Sequence, residues 1–157
     1  MWKKIKPYVS GIAISLLVGA LSAFLTRNSM DIYSEINTPP LAPPGFLFPI
    51  VWSILYTLMG ISAGLVKTKE HVDENSAQTG LFTFGASLVV NFFWSIIFFN
   101  ARAFFFSFIW LLCLLFLILR TIYFYKKVSP LAAYLQIPYA LWVLFAGYLN
   151  FAIYLLN

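Results

Sequence analysis

The sequence predicts an all-α fold, an integral membrane bundle of five transmembrane helices, on two observations. All five acidic residues, Asp31, Glu35, Glu70, Asp73 and Glu74, fall in two short stretches of the 157-residue chain. The remainder is cut into apolar runs of about 20 residues, the length a helix needs to cross a hydrocarbon core roughly 30 Å thick. A barrel would instead need short strands alternating in and out, whereas Phe104 to Leu119 is apolar at nearly every position. Backbone groups in hydrocarbon must be satisfied within each segment, so the five runs form one domain over residues 1–157.

The first span covers residues 8–26, after Lys3, Lys4 and Lys6. A basic start and the small pair Ala20 and Ser22 also fit a cleaved signal sequence. Against that stands the four-residue repeat Gly11, Ser15, Gly19 and Ala23, a face that lets helix backbones approach closely in lipid. Residues 27–45 form the longest connection. Its run Thr38-Pro39-Pro40-Leu41-Ala42-Pro43-Pro44-Gly45 restricts φ at four positions, which suits an extended lid holding Tyr33, Pro43 and Pro44 over the bundle mouth.

The second span, 46–66, sets Trp52, Tyr56, Gly60 and Gly64 at steps of four. The third, 79–99, stacks Thr83, Ser87, Asn91 and Ser95, with Trp94 beside Asn91. The fourth, 103–125, is apolar almost all round, so it is expected to face lipid or a second copy, with Cys113 as buried filler. Ser129-Pro130 reads as a hydroxyl cap followed by proline at the first helical position. The fifth span, 131–156, aligns Tyr139, Trp142, Ala146 and Asn150, with Gln136 and the kink-forming Pro138 near its entry.

Charge supplies an orientation. Lys3, Lys4, Lys6, Lys67, Lys69, Arg120, Lys126 and Lys127 flank one side of the bundle, and only Arg27 and Arg102 the other. The positive-inside rule then places the N-terminus in the cytoplasm and the C-terminus outside. That asymmetry accounts for the net charge of +5, and no soluble segment is large enough to build a nucleic-acid-binding face.

Small and hydrogen-bonding residues mark the faces that helices bury in lipid, and most of these stripes are expected to be packing. Asn91 and Asn150 are harder to assign to packing alone, because an unpaired buried amide costs roughly 2–7 kcal/mol on transfer scales. A ligand edge, or each other, would satisfy them. Trp52 and Trp142 share faces with Gly60 and Ala146, which leaves room for a flat guest.

Catalytic machinery is sparse. No Asp, Glu or His lies mid-span to carry a coupling ion. The only histidine, His71, lies in a charged loop, Met30 is in a loop too, and Met59 lacks support as an axial ligand, so no metal site and no resident cofactor is expected. No Ser-His-Asp set or glycine-rich phosphate loop is present.

The Pro-Pro-x-x-Pro-Pro loop leads into Trp52-x-x-x-Tyr56. Asn91-x-x-Trp94, Phe99-Asn100-Ala101-Arg102, Ser129-Pro130-Leu131-Ala132-Ala133 and Pro138-Tyr139-x-x-Trp142 through Asn150 follow in order. Together these motifs, spread over essentially the whole chain, resemble the translocator protein, or tryptophan-rich sensory protein, family. The resemblance implies a five-helix membrane protein, often a homodimer in the lipid bilayer. Its pocket under the first loop would bind porphyrins such as protoporphyrin IX and benzodiazepine-type drugs, with links to tetrapyrrole traffic, stress responses and light-dependent porphyrin breakdown. Carried over by position, the pocket includes Trp52, Tyr56, Asn91, Trp94, Trp142, Ala146 and Asn150. A photoexcited porphyrin between Trp52 and Trp142 would take an electron from indole, which makes these two the catalytic candidates. Passive translocation of tetrapyrroles or other hydrophobic molecules is the alternative. Leu41 and Phe46 stand where relatives commonly carry tryptophan. Tyr154 is followed only by Leu155, Leu156 and Asn157, without the basic residue of the sterol-recognition pattern.

Overall fold

A computed structural model of the protein describes residues 1–29 and 31–157, so Met30, placed in a loop by the sequence, lies outside the described residues. The long helices are α1 (Trp2–Thr26), α3 (Leu47–Thr68), α4 (Glu74–Ser95), α5 (Phe104–Val128) and α6 (Pro130–Leu156). A short α2 (Ile32–Glu35) lies in the loop after α1. All five long helices are apolar and long enough to span a bilayer, and the chain is an integral multi-pass membrane protein.

Helix ends extend past the apolar runs wherever a polar residue can cap or a charge can reach water. α1 begins at Trp2 rather than Tyr8, carrying its three lysines on the first turns, and Pro7 costs it one backbone bond. α4 begins five residues early because Asp73 caps it, its carboxylate accepting from the Ser76 N–H at 3.1 Å. Ser129 caps α6 through the Ala132 N–H at 3.4 Å, with Pro130 at the first helical position. α6 continues through Pro138. The loop is not wholly extended: it holds a 3₁₀ turn at Arg27–Ser29 and α2 before its proline run.

Two glycine contacts fix the framework. Gly11 lies on the backbone of Gly60, so α1 and α3 touch main chain to main chain, and a Cβ on either glycine would collide. Gly80 of α4 receives the Tyr125 ring of α5, whose Cδ1 lies 2.8 Å from where a Cβ would stand.

α5 departs from its expected role. Ser107, Leu111, Leu114, Ile118, Thr121, Tyr125 and Val128 form a buried stripe at alternating steps of four and three, packed against α4 and α6. Only the opposite face is left for lipid or a second copy. Most of its residues could not separate the two faces, because the protein interior and the acyl chains are equally apolar, and only Ser107 and Thr121 mark the buried one. Cys113 falls between the stripe positions and is exposed, not buried filler.

Candidate functional site

Beneath the loop, α1, α3, α4 and α6 enclose a cavity of about 650 Å³, within the usual range for small-molecule sites. α3 contributes Trp52 and Tyr56, stacked with ring centroids 5.5 Å apart. α4 contributes Trp94, its ring 6.4 Å from that of Trp52. α6 contributes Ala146 and Asn150, and the loop contributes Tyr33.

These six predicted residues are brought together. Four others are not among the described lining residues. Asn91 lies behind the wall, donating from Nδ2 to the Tyr56 hydroxyl at 3.1 Å. Trp142 lies beyond Phe48, with ring centroids 5.9 Å apart, so the indole beside Trp52 at the cavity is Trp94 rather than Trp142. Pro43 acts through its carbonyl, which accepts from the Tyr33 hydroxyl at 2.7 Å, and Pro44 is exposed.

The two buried asparagines do not pair with each other. Asn150 Oδ1 accepts from the Trp94 indole at 3.3 Å and lies 2.7 Å from the Ser107 hydroxyl, while its Nδ2 donates to the Ala146 carbonyl at 2.7 Å. Ser107 Oγ is also 2.8 Å from the Phe104 carbonyl, and its one proton serves only one acceptor at a time. Thus α5, though absent from the wall, orients a residue that forms it.

α1 was missed as a wall. Leu16, Gly19, Ala20, Ser22, Ala23 and Thr26 all line the cavity. Its small-residue repeat was the available signal, read only as a helix contact. Gly19 does serve contact, because a Cβ there would overlap the Tyr56 ring, yet Ala23 on the same repeat faces open space. Phe98 and Phe99 were also missed. A five-residue π-helical turn, Ile96–Asn100, follows α4 and brings both rings to the cavity. Such turns often mark functional sites, and residue type alone does not announce them.

The described lining side chains carry no charge; their polar groups are hydroxyls, the Trp52 and Trp94 N–H groups and the Asn150 amide. Burial raises the Tyr33 phenol above its ordinary pKa, so it stays a neutral donor to Pro43. Among the described residues no three His, Cys, Asp or Glu side chains converge as metal ligands. The arrangement suits a flat, largely apolar molecule held by ring contact, with few directional bonds.

The sequence profile of the TspO/MBR family matches residues 11–156, which takes in α1 from Gly11 onward and the other four long helices whole. The chain belongs to the TspO/MBR family. It is 34% identical to the tryptophan-rich protein TspO of Chlorobaculum tepidum over 158 aligned positions, covering 100% of this chain and 99% of that protein. It is 34% identical to protein CrtK of Rhodobacter capsulatus over 80% of this chain and 78% of that one. It is 30% identical to the translocator protein of Bos taurus over 92% and 88%. In this TspO/MBR chain Leu41 and Phe46, at the loop positions noted above, are both highly exposed. Leu41 also holds a positive φ of 71° at the turn of the proline run.

Proposed function

We propose that this protein is a membrane receptor for porphyrins, protoporphyrin IX above all, and for benzodiazepine-site drugs, acting in tetrapyrrole handling and stress response. The observation that carries the reading is the uncharged cavity walled by Trp52, Tyr56 and Trp94 under the loop. Family membership supports it. Aromatic faces suit a macrocycle, and the committed hydrogen bonds of Asn150 keep the wall preorganised. In this reading the N-terminus is cytoplasmic, because the eight basic residues gather at the end opposite the loop, and the protein works as a homodimer.

The test is a titration in detergent with protoporphyrin IX, haem and cholesterol. Saturable binding of the porphyrins at micromolar concentration or below, with weak or no cholesterol binding, is expected; no saturable porphyrin binding overturns the reading.

Light-dependent breakdown of the bound porphyrin is a second reading, favoured by the Trp52–Trp94 pair at the cavity. An excited porphyrin would take an electron from indole, with dissolved oxygen as final oxidant. Trp52→Phe protein that still binds porphyrin should bleach it at least severalfold more slowly under illumination, and an unchanged rate would contradict indole chemistry. Passive translocation competes with both, and would appear as porphyrin flux into protein-containing vesicles.

A further inference from the structure

α1 and α3 are pressed together at one end and part towards the loop. Gly11 lies on Gly60, and Gly19 on the Tyr56 ring. Beyond Gly19 come Ala20 and Ala23 on α1, with Ser53 and Pro49 on α3 and Phe46 just before it. All five line the cavity and all five are exposed, so the cavity wall is open there on the side of the bundle. In a multi-pass membrane protein that side faces acyl chains.

Leu16, Ala20 and Ala23 follow steps of four and three, and the next step of four reaches Arg27. Arg27 is exposed at the loop end of α1, where headgroups lie. Its guanidinium is folded back 3.9 Å over the Phe24 ring, with Nη1 donating to the Phe24 carbonyl at 2.8 Å. Among the described residues no carboxylate pairs with it, whereas Arg102 is taken by Glu35 at 2.8 Å.

We propose that the α1–α3 gap is a side entrance from the bilayer, and that Arg27 at its rim selects flat amphiphiles bearing a carboxylate. The body of the ligand slides between Ala20 and Ser53 while its carboxylate stays at headgroup depth on the guanidinium. This rests on the cavity being the binding site proposed above, and gives that site a ligand class and a route.

The experiment compares protoporphyrin IX with its dimethyl ester, in vesicles. The acid should bind wild-type protein about fivefold tighter, the scale of one exposed charge pair. Arg27→Gln should bring the two within about twofold, and Arg102→Gln should not. Ala20→Phe and Ala23→Phe should slow porphyrin association by roughly tenfold each. An acid preference that survives Arg27→Gln, or rates indifferent to the phenylalanines, overturns the proposal.

If neither porphyrin binds wild-type protein, the proposed function fails, and a second probe still decides the entrance. In protein with Trp2, Trp110 and Trp142 changed to Phe, 16-doxyl-stearate should quench Trp52 and Trp94 more than its methyl ester does. Arg27→Gln should equalise them. Equal quenching in the protein retaining Arg27 overturns the side entrance.

Discussion

The Trp94 indole nitrogen lies 3.3 Å from Asn150 Oδ1, and this single hydrogen bond joins α4 to α6 across the back of the cavity. Ser107 brings α5 to the same oxygen at 2.7 Å. One amide therefore ties three helices together, and the wall residue Trp94 is held by a group that itself lines the site.

Asn150→Leu should strip Trp94 and Ser107 of their shared acceptor inside the bundle. The expected loss is about 1–3 kcal/mol, the cost of stranding the buried Trp94 donor, since Ser107 keeps the Phe104 carbonyl. Thermal unfolding in detergent would show it as a lowered midpoint. A midpoint equal to wild type would mean that the indole finds another partner.

Gly60→Ala and Gly147→Ala make a matched pair. At Gly60 the added methyl would meet the α1 backbone at Ile12, so α1 must move off α3, with a cost of about 1–3 kcal/mol or more. At Gly147 the methyl meets nothing within 4 Å, and the helix propensity of alanine should add up to about 1 kcal/mol. Opposite signs in the two melting shifts are expected, and equal signs would contradict the backbone contact.

The loop is fastened at several points. Tyr33 donates to the Pro43 carbonyl at 2.7 Å, Tyr148 to the Pro40 carbonyl at 2.8 Å, and Asn37 and Asn157 bond reciprocally. Tyr33→Phe should speed hydrogen exchange in residues 31–45 about tenfold while leaving the melting point of the bundle nearly unchanged. Glu35→Gln, which removes only an exposed ion pair, should have a smaller effect.

Asp73 sets the acid response of α4. Hydrogen bonds from the Ser76 backbone and side chain hold its carboxyl below the ordinary value, so the folded state favours the ionised form. Its contribution is therefore complete above the unfolded pKa of about 4 and is lost as pH falls through the lower folded value. Exchange at the first turn of α4 should quicken below pH ~4 in wild type and already be fast at neutral pH in Asp73→Ala.

The span count, the cap at Ser129, and the aromatic wall on α3 were legible because each depends on local chemistry or on period, whereas the Asp73 cap that starts α4 early was not read. Trp52 and Tyr56 share a helix face at any tertiary arrangement. What was not legible depends on how faces are used. The buried stripe of α5 differs from its lipid face by little more than two small hydroxyls, Ser107 and Thr121. Trp142 has the residue type and spacing of a wall residue, yet Phe48 intervenes. The π-helical turn that aims Phe98 and Phe99 is a backbone event, visible only once the chain is folded.

The most direct measurement is protoporphyrin IX affinity for Ala146→Leu beside Gly147→Leu. Ala146 lines the cavity, whereas Gly147, its neighbour, lines a separate groove between α5 and α6. The account predicts at least about a tenfold loss of affinity for Ala146→Leu, the scale of an overpacked site, and wild-type affinity for Gly147→Leu. Equal affinities for both variants and wild type, or a loss confined to Gly147→Leu, would place the ligand outside the cavity.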